Sequence, residues 1–160
     1  MSTPLRPELI INYAPELDLR FTFKEFVNYD GAATPDYRFE IDCCVRRPRS
    51  TLRYTASKIY FELKALKRFQ EQLDAMRQGL AKEASLSDPG ELVVFQLEGD
   101  SRKLLARLDI REYLPPSAAT LHETFEVDYD LFVNKLLRQV ERFLEELGQI
   151  EPSSPDRTSP

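Results

Sequence analysis

Leu17, Leu19, Phe21 and Phe23 alternate with Asp18, Arg20, Thr22 and Lys24, and this period of two commits the chain to half-buried antiparallel strands. The pattern returns at Tyr37, Phe39, Ile41, Cys43 and Val45, which alternate with Arg38, Glu40, Asp42, Cys44 and Arg46. Asp30-Gly31 and Pro35 separate the two segments, so they are expected to pair as a hairpin. Leu9 to Tyr13, ending before Pro15, and Thr51 to Tyr54, after Pro48, read as shorter strands.

The period then changes. Ile59, Leu63, Leu66, Phe69, Leu73, Met76 and Leu80 recur every three or four residues, which draws one apolar stripe along a helix capped by Thr55 or Ser57. Ser85 to Gly90 reads as a loop. Alternation resumes at Val93, Phe95 and Leu97, turns at Gly99-Asp100, and returns through Leu104, Ala106, Leu108 and Ile110 to Pro115-Pro116. Leu121, Phe125 and Val127 mark a last strand, with Glu123 the polar exception on that face. Phe132, Leu136, Val140, Phe143 and Leu147 then form a second helical stripe, with Asp128 or Asp130 as cap and Gly148 as stop.

The order strands, helix, strands, helix predicts an α+β fold with about six to seven antiparallel strands and two amphipathic helices. Periodicity leaves open whether the strands form one sheet or two. At 160 residues the chain can bury about two-thirds of its unfolded surface in one domain, expected over residues 1–150. Residues 151–160 contain only Glu, Pro, Ser, Asp, Arg and Thr and read as a disordered tail. Segments 17–42 and 104–128 also resemble each other. Leu17-x-x-Arg20 to Glu25 parallels Leu104-x-x-Arg107 to Glu112, and Ala32-Ala33-Thr34 with Phe39-Glu40-Ile41-Asp42 parallels Ala118-Ala119-Thr120 with Phe125-Glu126-Val127-Asp128. Duplication and chance likeness of alternating strands both account for this.

Chemistry is hard to place on this pattern. The single histidine, His122, has no metal-ligand spacing around it. Cys43 and Cys44 are adjacent in a strand, so their side chains take opposite faces and do not form a disulfide framework. Cys43 reads as core. Neither a nucleophile elbow nor a glycine-rich phosphate loop is present, with five glycines in the chain. The expectation is a protein with no enzymatic activity, cofactor or metal. Glu126, Asp128 and Asp130 fall where a strand enters a helix and read as capping acids. Arg46, Arg47, Arg49 and Arg53 surround Pro48 and are the candidate contacts for nucleic-acid phosphates, although the net charge of −5 disfavours that partner.

That charge is uneven, with 14 basic and 13 acidic side chains in residues 1–90 and 8 against 14 in residues 91–160. No apolar run approaches the roughly 18 residues of a membrane span. Neither a disulfide framework nor a basic, apolar leader appears, so the cytoplasm is the expected compartment.

The early strand Leu17-Asp18-Leu19-Arg20-Phe21, the strand Phe39-Glu40-Ile41-Asp42, the helix Tyr60-Phe61-Glu62-Leu63-x-x-Leu66 and the closing helix Asp130-Leu131, Leu136-Leu137, Val140, Phe143 together resemble the WapI-like family of small bacterial immunity proteins. The resemblance runs from residue 17 to residue 147. It implies a stoichiometric inhibitor of a toxin's C-terminal domain, and no functional residue carries over from it. An acidic surface speeds encounter with a basic toxin, which makes the outward acids Glu98, Asp100, Asp109, Glu126 and Asp130 the candidate partner-binding residues. A protein-binding module therefore ranks first, a nucleic-acid accessory protein using the arginines second, and an enzyme with an unrecognised site third.

Overall fold

Each half of the chain is a four-stranded antiparallel meander closed by one helix. The computed structural model describes residues 6–13, 16–27, 35–114 and 117–150, and for 112–114 and 117–119 the backbone alone. The first sheet holds β1 (Glu8–Tyr13), β2 (Leu17–Val27), β3 (Asp36–Arg47) and β4 (Ser50–Phe61) in sequence order, followed by helix α1 (Leu63–Arg77). The second holds β5 (Glu83–Ser87), β6 (Val93–Gly99), β7 (Leu104–Leu114) and β8 (Ser117–Val127), followed by α2 (Tyr129–Gly148). The turn expected at Asp30-Gly31, the break at Pro115-Pro116 and the tail at 151–160 lie outside the described residues.

Eight strands in two sheets correct the expectation of six to seven. The added strand is β5, in the stretch that reads as a loop from Ser85. It has five residues and only Ala84 and Leu86 on its buried side, too short an alternation to register. The helix expected from Thr55 or Ser57 starts at Leu63 instead, because β4 continues to Phe61. Ile59 is therefore a buried strand residue, and Leu80 lies past the helix, 77% exposed. A bulge hid this continuation. Ile41 pairs with Ala56 but Phe39 pairs with Ile59, so Ser57 and Lys58 stand opposite Glu40 alone. The inward positions of β4 change there from Leu52, Tyr54 and Ala56 to Ile59 and Phe61, a shift of parity that an extra residue always causes.

The helices exchange sheets. Phe69 of α1 meets Phe95 of β6 edge-on at 6.3 Å. Phe143 of α2 lies 5.7 Å from Phe39 of β3, and Phe132 of α2 lies 6.2 Å from Tyr13 of β1. Phe39 also meets Phe23 at 5.9 Å and Phe61 at 5.6 Å, so the aromatic centre of the first sheet is completed by the second half's helix. The helices pack on each other as well, and the Tyr129 hydroxyl donates to the Met76 carbonyl. Asp128 caps α2 by accepting from the Leu131 N–H at 3.0 Å.

The likeness between 17–42 and 104–128 does not follow this architecture. It aligns β2 and β3, the second and third strands of one half, with β7 and β8, the third and fourth of the other. The repeat of the fold and the likeness of the sequence are one strand out of step.

Phe143→Ala is expected to lower stability by about 3–5 kcal/mol and to leave a single denaturant transition, because both halves share the affected core. Chemical denaturation followed by circular dichroism checks this, and separate transitions for the two halves would contradict it. Gly99 has φ +140°, and a Cβ there would lie 2.0 Å from the Lys103 carbonyl oxygen. Gly99→Ala should therefore cost about 2–4 kcal/mol in the same assay.

Candidate functional site

The second sheet turns its outer face to solvent, and the register of its strands decides which side chains meet there. Glu83 pairs with Glu98, Glu98 with Leu105, and Leu105 with Glu126. One row across all four strands thus carries three carboxylates around a leucine that is 36% exposed. The parity is fixed from below. Ala84, Leu97, Leu104, Ala106, Phe125 and Val127 all enter the core, which forces their neighbours outward. In the next row Gln96 donates to Glu83 at 2.8 Å and orients that carboxylate.

Of the five candidate acids, the structure brings Glu98 and Glu126 together. Asp109 is on the same face but farther along, opposite His122 in the register, and its carboxylate is hydrogen-bonded to the His122 ring at Nδ1. His122, which the sequence leaves without a partner, has one. Asp100 lies on the β6–β7 turn and accepts from the N–H groups of Arg102 at 2.9 Å and Lys103 at 3.3 Å. These bonds hold its carboxyl below the usual carboxylate range. Its role is to close the turn. Asp130 is exposed on the first turn of α2, where it shares a depression with Leu131, Asn134, Lys135, Arg138 and Arg142. Sequence reading missed Glu83, which belongs to the unpredicted β5, and Leu105, whose signal was an apolar residue on the polar parity beside Leu104.

The arginine cluster is divided. Arg46 and Arg53 line a groove of about 300 Å³ on the outer face of the first sheet, together with Arg20, Asp18, Asp42 and Cys44. Three guanidinium groups and two carboxylates make that surface mixed in charge. Arg47 leaves the cluster to form an ion pair with Glu123 of β8, and its guanidinium lies 5.5 Å over the Phe125 ring. This explains Glu123 as the polar exception on an apolar face: it fastens the β3–β4 end of the first sheet to the second. Arg49 is exposed in the β3–β4 turn.

The remaining reactive groups are absorbed by the fold. Cys43 is 4% exposed; burial first, then Cys44 and Asp18, pushes its thiol up to about 12, which leaves it protonated and inert. Asp88 is 5% exposed and accepts from the Val93 N–H at 2.7 Å, closing the β5–β6 loop. Among the described residues no group of three or more His, Cys, Asp or Glu is placed to hold a metal, and no helix is long and apolar enough to cross a membrane.

Desolvation raises the Asp88 carboxyl above its ordinary value of 3.8, against the opposing backbone N–H bonds. A raised folded-state value means that the folded chain holds the proton more tightly than the unfolded one. The associated stability is full below 3.8 and is lost as pH rises through the folded value. Asp88→Asn removes that dependence. The stability of the parent relative to Asp88→Asn should thus rise as pH falls toward 3.8, in parallel denaturation series.

No family model matches the chain, and no curated protein matches it. Among solved structures it is similar to Trypanosoma bruciei MRP1/MRP2, with 11% identity and a TM-score of 0.47 over 91% of this chain and 87% of that one.

Proposed function

We propose that this chain is a non-catalytic, cytosolic protein-binding module, in concrete form an immunity protein of the WapI-like kind that neutralises a toxin domain by stoichiometric binding. The observation that carries the reading is the row of Glu83, Glu98, Leu105 and Glu126 across an outer sheet face. An apolar side chain bordered by carboxylates on a rigid β surface gives a contact centre with a charged margin. The centre supplies affinity once water is excluded. The margin raises the association rate with a basic partner and disfavours acidic ones.

The nucleic-acid reading draws less support. A phosphate backbone is held by cations arrayed along its path, whereas Arg47 is engaged by Glu123 and the groove beside Arg46 and Arg53 contains Asp18 and Asp42.

The test is affinity capture from the native cell lysate at low and high salt, with proteins and nucleic acids both identified. One protein should be captured at equal stoichiometry and lost at high salt. Its toxic fragment should arrest growth when expressed alone, and co-expression of this chain should relieve the arrest. Glu98→Lys combined with Glu126→Lys should weaken capture by about tenfold or more. Recovery of nucleic acid alone, or a captured partner indifferent to these substitutions, would sink the reading.

A further inference from the structure

Four strands end the two sheets, and they are not treated alike. α2 lies over β1, where Phe132 meets the Tyr13 ring and Lys135 donates to Asn12 at 3.1 Å. α1 lies along β5, and the Gln72 side chain accepts the Ser85 N–H at 2.9 Å, so that an edge backbone group is satisfied by a helix. Among the described residues neither helix packs extensively on β4 or β8. On those two strands every second residue turns its N–H and C=O away from the neighbouring strand, and such a row is a template for another strand.

The two open edges have opposite chemistry. β4 contains Arg53 and Lys58 and no carboxylate, whereas β8 contains Glu123 and Glu126 and neither lysine nor arginine. β4 also carries apolar surface out to the margin of the first sheet. Leu52, Tyr54 and Ala56 register with the core residues Val45, Cys43 and Ile41, yet Leu52 is 47% exposed.

We propose that β4 is a docking edge for a second copy of this chain, which adds its β8 in antiparallel register. Placing Arg53 opposite Glu126 of the other copy aligns Leu52 with Val127, Tyr54 with Phe125, and Thr55 with Thr124. The charged and threonine pairs fall on the outer face and the apolar pairs on the inner face. Parity matches in this register as in any register two residues along, which is the condition for continuing a sheet with a buried side. This one also pairs Arg53 with Glu126, and it sets Ala56 opposite Glu123, which Arg47 of its own chain holds. The contact joins two different patches, so assembly closes into a ring or extends as a chain. Glu126 also belongs to the acidic row, and a copy seated on β8 competes with a cationic partner for it. The inference is otherwise independent of the function proposed above, because it is measured with no toxin present.

Sedimentation velocity of the full chain over a range of concentration and salt tests it. The parent should self-associate, less at high salt. R53E and E126R should each raise the dissociation constant by about tenfold or more, and an equimolar mixture of the two should recover the parent's association because opposite charges again face each other. Both positions are exposed, and a circular dichroism melt establishes that each variant is folded. A parent that stays monomeric throughout, association unchanged in both variants, or a mixture no better than its components overturns the proposal.

Discussion

The contact on which the rest depends is Phe143 against Phe39. A helix encoded after the eighth strand completes the aromatic centre of a sheet encoded before the first helix. Phe69 on Phe95 is the reciprocal contact. A four-stranded meander buries one face only if something covers it, and here each half supplies the cover for the other. This contact between residues distant in sequence is also among the most buried, with Phe39 at 0% and Phe143 at 1% exposure. Neither half retains its full core without its counterpart, which ties the stability of the first sheet to the last turns of the chain.

This exchange determines what remains at the surface. With both helices committed to inner faces, the outer faces of the two sheets meet solvent directly, and their side chains are set by parity. Two helices also have room to screen only two of four edges. β1 and β5, the first strands of the halves, are screened, and β4 and β8, the last strands, are left to charge as their protection. Lysine, arginine and glutamate on an edge oppose pairing between like edges. When the signs differ from one edge to the other, the same device that blocks β4 from β4 and β8 from β8 favours β4 with β8.

Most of the fold is written in the sequence because its signals are local. The clean alternation of Leu17 to Phe23 and of Leu104 to Ile110, and the stripe of Phe132 to Leu147, survive into the structure as β2, β7 and α2. What is lost depends on contacts distant in sequence. The reach of β4 to Phe61 is decided by a twelve-residue β3 that needs a partner along its length, and the bulge at Ser57 and Lys58 erases the period that would reveal it. Lys58 has φ 65° there, a left-handed conformation that no periodicity rule expects of lysine. β5 exists because β6 and α1 hold its two sides. The same limit applies to the candidate site. Parity identifies Glu98 and Glu126 as outward, but register alone shows that they share a row with Glu83 while Asp109 and His122 form a separate pair.

The distribution of polar groups bears on the kind of function such a surface performs. A catalytic site concentrates groups whose ionisation is shifted for use and leaves them accessible. In this chain the strongly shifted thiol of Cys43 is sealed beneath the first sheet, and the shifted carboxyl of Asp88 is consumed in closing a loop. Glu123 is spent on Arg47, and Asp100 on a turn. Glu98, Glu126 and the leucine between them are among the groups left exposed, and the binding role proposed for them would rest on shape and on charge at a distance. That role would need no pocket, only a sheet held firm beneath the row, and the exchanged helices cover the inner side of that sheet.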